Sequence, residues 1–198
     1  MNLITIQIHN EFSHINKMQK DDIAYIQYEL DSDLKSETSE GIKITVEIKC
    51  LGNNIFRISH VNTDCKPISI EYSVNVYGGD ITTVIKNINA NMYMKCPNDI
   101  NLEISLIIIF DALIRIGKVL NWSEIIYEIE NYDVAFNLNK NENMLGRVLT
   151  KYGFVFKCLD VDEAILVKDM KKDSENNECE KLLKRLIYRN QSIIKERH

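Results

Sequence analysis

Over Ile42–Lys49 and again over Ile68–Tyr77 apolar side chains recur at every second position, a period that forces extended strands with one buried face. Ile42, Ile44, Val46 and Ile48 alternate with Lys43, Thr45, Glu47 and Lys49, and Leu51-Gly52-Asn53-Asn54 supplies turn chemistry. The segment 41–61 therefore reads as a hairpin. After Pro67 the alternation resumes with Ile68, Ile70, Tyr72, Val74 and Val76, until Gly78-Gly79 ends it. Consecutive strands of this kind make an antiparallel meander. Ile4, Ile6 and Ile8 mark a further strand over 3–9.

Other segments follow the helical period. Phe12, Ile15 and Met18, then Ile23, Ile26 and Leu30, predict two short helices within 11–35, with a cap at Asp21-Asp22 and an acidic loop over 31–40. Asp80 reads as the N-cap of a short helix, Ile81 to Ile88, and 91–96 as a brief strand stopped by Pro97. Residues 101–120 are the most apolar stretch and predict a buried helix, with Asp111 and Arg115 spaced to pair. A strand over 125–129 precedes a helix over 143–152 that stops at Gly153. A hairpin, 154–159 with 164–168, follows. The fold class is α+β, a mostly antiparallel mixed sheet flanked by helices over 1–170. A C-terminal amphipathic helix is expected in 171–198, acidic in its early turns and basic in its later ones.

Charge and cysteine usage narrow the function classes. A formal charge of -5 argues against wrapping duplex nucleic acid, which calls for a cationic surface. Five Cys without a C-x-x-C pair give neither a zinc knuckle nor a complete disulfide framework, and point to a reducing compartment. The apolar run Ile104 to Phe110 is broken by Asp111 and Arg115, far short of the roughly 20 residues a membrane span needs. No secretory leader is visible in the opening residues, so a cytoplasmic location is expected. No P-loop, dinucleotide fingerprint, H-E-x-x-H or nucleophile elbow is present, and no metal ligand set is expected.

Two local signals sit in this order of elements: Met94-Lys95-Cys96-Pro97 ahead of the long helix, and Asn141 to Phe154 (NENMLGRVLTKYGF), an Asn-flanked helix ending in Gly-Phe. Together with the element order they resemble the GNAT superfamily of acyl-CoA N-acyltransferases, over about 91–168. The resemblance implies transfer of an acyl group from acetyl-CoA or another acyl-CoA to an amine. The central strand would lie along the pantetheine, and the turn at 97–103 would take the phosphates. On that resemblance the cofactor-binding residues are Cys96, Asn98, Asn101, Asn141 and Asn143, and the catalytic residues Glu128 and Tyr152.

The family's phosphate turn, Arg/Gln-x-x-Gly-x-Gly/Ala, falls here on Ile100 and on positions without glycine, and Glu103 brings a carboxylate to the first helical turn. Glycine lets a backbone approach a diphosphate, and helix N–H groups bind it, so these changes weaken an anion cradle. The alternative reading is a catalytically silent member of that fold, kept as a structural or interaction module. A homo-oligomer or protein partner would be held through the C-terminal helix, in a phage or other A/T-rich genome. Two further constellations are open: a His60/Cys65 nucleophile pair, and Glu47, Glu71 or Glu128 as strand-borne bases.

Overall fold

The computed structural model describes residues 15, 17–30, 42–60, 68–89, 100–129, 144–159 and 164–172. They form β1 (Ile23–Leu30), β2 (Ile42–Gly52), β3 (Ile55–His60), β4 (Ile68–Tyr77) and β5 (Asp80–Asn89), then α1 (Ile100–Val119) and β6 (Glu124–Ile129). The short helix Met144–Lys151, here α2, precedes β7 (Val155–Leu159) and β8 (Ala164–Asp169), and a 3-10 turn covers Met170–Lys172. The strands make one eight-stranded sheet in the order β1-β2-β3-β4-β5-β6-β8-β7. All neighbours are antiparallel except β5 and β6, which run parallel and are joined through α1. The architecture is thus mixed α+β with a mostly antiparallel sheet.

The alternating runs became strands because a single register buries their whole apolar set. Ile48 pairs with Ile58, Ile58 with Ile70, and Ile70 with Ile88, so isoleucines from four strands line one face. Helix α1 covers β2, β3 and β4 on that face, and α2 lies beside it. Leu106, Ile107, Ile108, Ile109 and Phe110 are all fully buried, each contributing about 1.5–3 kcal/mol through apolar burial. No helix among the described residues is long and apolar enough to cross a membrane. The other face is polar over β2 to β4, where Arg57 bonds Glu71 across strands at 2.9 Å.

Two expected helical segments are strands. In 23–30 Ile26 and Tyr28 are buried at 3% and 1%, whereas Tyr25 before them and Gln27 between them are exposed, Tyr25 at 51%. The operative period is two. The isoleucines and tyrosines of this stretch favour a pleated surface, and full pairing with β2 overrides the helical spacing of Ile23, Ile26 and Leu30. Asp80 does not cap a helix. It pairs with Tyr77 across Gly78 and Gly79, whose φ angles of 60° and 92° suit a tight hairpin, and the β-branched Thr82-Thr83-Val84 continues as strand. The expected elements at 3–9, 91–96 and 173–198 lie outside the described residues.

Helix α2 stops at Gly153 as expected, and α1 closes in the same manner at Asn121. Trp122 N–H donates to Gly117 C=O with Asn121 left-handed, and Phe154 N–H donates to Leu149 C=O with Gly153 left-handed. These bonds close the last turns in the Schellman manner. Gly117 has a second duty, since a Cβ placed there would lie 2.7 Å from Trp122 Cε3. Gly117→Ala is therefore expected to lose about 1–3 kcal/mol through overpacking, although Ala is intrinsically the better helix former. The urea-unfolding midpoint checks this.

Candidate functional site

Parallel strands cannot share a hairpin, and β5 and β6 are joined instead by the crossover through α1. The ladder between β5 and β6 runs only from Thr82–Glu124 to Ile85–Tyr127. Beyond it β5 continues against β4 as far as Asn89, and β6 continues against β8 as far as Ile129. Lys86–Asn89 and Glu128–Ile129 thus flank a wedge in which neither strand carries ladder bonds to the other.

A β-bulge explains where the parting begins. Glu71 pairs with Asn87 but its neighbour Tyr72 pairs with Ile85, so Lys86 is an extra residue on β5. Such an insertion bends its strand and strengthens the local twist, and here it falls at the last rung shared with β6. Lys86, Asn87, Asn89 and Glu128 are exposed around the wedge, whereas Ile88 and Ile129 turn into the core.

The amino-terminal end of α1 sits at the same end of the sheet. His60 closes β3 beside Ile68, and Ser69 pairs with Asn89, so His60 lies level with the end of β5. His60 Nδ1 and Ser105 Oγ are 2.8 Å apart, one donating to the other, and both residues are buried. This bond fixes the second turn of α1 over the carboxyl end of β3. Glu103, in the first turn, lies 3.8 Å from Lys151 at the end of α2. Crevices outside the carboxyl ends of parallel strands, facing a helix N-terminus, are the places where α/β sheets bind ligands.

The residues expected to do chemistry separate. Glu128 is exposed at the mouth of the wedge, the first residue of β6 past the shared ladder. Tyr152 is elsewhere, half-buried against α1 on the helix-covered face. Its hydroxyl donates to Ile107 C=O at 2.7 Å, and its ring stacks on Phe110 at 6.0 Å. Glu128 points to the opposite face from its buried neighbour Tyr127, so the two are not brought together. Asn101 falls in the first turn of α1. Cys96, Asn98, Asn141 and Asn143 lie outside the described residues, as does Cys65. His60 makes its ring contact with Ser105, a serine that helical periodicity hides among apolar neighbours. Glu71 is engaged by Arg57. Among the described residues no group of three or more His, Cys, Asp or Glu is arranged to hold a metal ion.

A second concavity of about 890 Å³ lies at the amino-terminal ends of β5 and β6, lined by Tyr77, Thr82, Glu124, Val155, Lys157 and Val167 among others. Its charges are largely spent internally. Lys171 meets Asp80 at 3.2 Å, Lys172 meets Asp169 at 3.0 Å, and Lys168 Nζ donates to Tyr152 C=O at 2.7 Å. It stands at the wrong end of a parallel pair for the helix-terminus chemistry above. No protein-family model and no curated protein matches this chain.

Burial holds the His60 imidazole below its ordinary value. The native state then binds fewer protons than the unfolded state, so stability is complete above the unfolded pKa of about 6.5 and declines as pH falls through it. Urea unfolding at pH 7.5 and 5.5 should show a loss at the lower pH that is smaller in His60→Gln, which retains a polar group toward Ser105 but does not titrate.

Proposed function

We propose that this chain is a divergent GNAT-like protein that transfers an acyl group from acyl-CoA to an amine at the β5/β6 wedge. The observation that carries the reading is that the ladder of the one parallel strand pair among the described residues stops at Ile85 and Tyr127, at the end of the sheet where α1 begins. An extended arm bearing amides adds to an open strand edge by main-chain hydrogen bonds, the chemistry a pantetheine offers. An acyl-CoA, when bound, supplies the activated acyl group. Lys86–Asn89 would bond the arm, and the first-turn N–H groups of α1 would face the phosphates. Glu128, exposed beside the gap, would accept the proton that the attacking amine releases. Tyr152 has no part in this scheme because its hydroxyl already serves Ile107.

Glu103 bears on a second reading, in which the fold is catalytically silent. Its carboxylate occupies the turn where phosphates would dock, although Lys151 partly offsets it. Bare like charges about 4 Å apart repel by about 4 kcal/mol at an effective dielectric of 20, and the neighbouring cation and water cut this down. Glu103→Gln is expected to tighten CoA binding about tenfold, roughly 1.4 kcal/mol.

The deciding experiment is a thermal-shift titration with CoA, acetyl-CoA and a longer acyl-CoA. Ligand at 100 times its Kd stabilises by about 2.7 kcal/mol, a rise in Tm of about 5–10 °C for a chain of this size. A flat response to every thioester at millimolar concentration overturns the transferase reading and leaves the silent one. If binding is seen, Glu128→Gln should lower kcat by about 10²- to 10⁴-fold while leaving the thermal shift in place.

A further inference from the structure

At the opposite end of α1 three polar atoms are sealed in the core without a hydrogen-bond partner: Tyr72 Oη, Thr83 Oγ1 and Trp122 Nε1. Tyr72 and Thr83 are fully buried and Trp122 is 3% exposed. The register gathers them. Tyr72 pairs with Ile85 and Thr83 with Val74, which makes Tyr72 and Thr83 diagonal neighbours on the helix-covered face. The Trp122 ring meets Tyr72 edge-on, with centroids 5.6 Å apart. Ser123 N–H and Oγ both donate to Ile81 C=O, at 2.8 and 3.0 Å, which draws the turn after α1 against the start of β5. Gly117 presses on the indole from the helix side, so the ring has no room to turn away.

Buried polar groups of native proteins are almost always paired, and three orphans on adjoining elements of one face call for a partner. We propose that Tyr72 Oη, Thr83 Oγ1 and Trp122 Nε1 together bind one internal water molecule. Indole N–H only donates, so the water accepts from Trp122, while the two hydroxyls accept or donate as the remaining positions require. A buried water makes about three such bonds, which this site offers. An apolar guest would leave all three groups unpaired. The water ties β4, β5 and the α1–β6 turn together, and this inference is independent of acyl transfer.

Trp122 is the only tryptophan, so indole labelling with nitrogen-15 yields a single Nε1–H resonance from the intact chain. We expect a through-space cross-peak from that proton to water. Thr83→Val, nearly isosteric, is expected to weaken the cross-peak and lower Tm by about 2–4 °C. Adding Tyr72→Phe should then cost less than it does alone, because both hydroxyls act through one water. Absence of the cross-peak in the wild-type protein overturns the proposal. So does a Thr83→Val variant more stable than wild type, the result for a hydroxyl stranded in a dry core.

Discussion

Helix α1 has no wet side along most of its length, and the rest of the structure is arranged to accommodate that. From Ser105 to Ile114 every residue is buried, including Asp111. A helix that is apolar all round has to be enclosed, and enclosure here means lying across a broad sheet with α2 alongside. The two polar residues in the stretch set its position. Ser105 meets His60 of β3, and Asp111 accepts from Tyr28 of β1 at 3.1 Å and from Arg115 at 2.5 Å. Losing the Tyr28 partner would leave a buried carboxylate short of a donor, so these bonds fix orientation more than they add net stability.

The same helix is the connection between β5 and β6, and adjacent strands that run parallel, as these do, need such a crossover. The two ends of the pair are then treated differently. The amino-terminal end is knitted shut by Ser123 to Ile81, by Met170 N–H donating to Ser123 C=O, and by the Schellman closure on Gly117. At the carboxyl end, among the described residues, β5 pairs with β4 and β6 with β8.

Much of the fold was legible because one face had to be buried and the period said which. The hairpin at Ile42–His60, the strand Ile68–Tyr77, the long helix and the closing hairpin all carry an unambiguous period in their own residues. Ile23–Leu30 was ambiguous because Ile23, Ile26 and Leu30 fit a helix while Ala24, Ile26 and Tyr28 fit a strand, and only pairing with β2 decides. At Ile81–Ile88 the bulge itself disguises the alternation. Glu128 could be singled out as a mid-strand carboxylate, but its place beside a gap depends on where pairing with β5 stops. Tyr152 was read from its place near a helix end, and nothing local announces that its hydroxyl reaches a carbonyl of another helix.

Ile85 and Ile88 both face the helices although an odd number of steps separates them, and Lys86 absorbs the phase difference. A strand one residue shorter there would keep the two-residue period and still turn both isoleucines inside. Packing of the interior therefore gives no reason for the additional residue. It falls where the ladder with β6 ends, so the extra residue marks the point at which β5 stops answering to two neighbours and answers to β4.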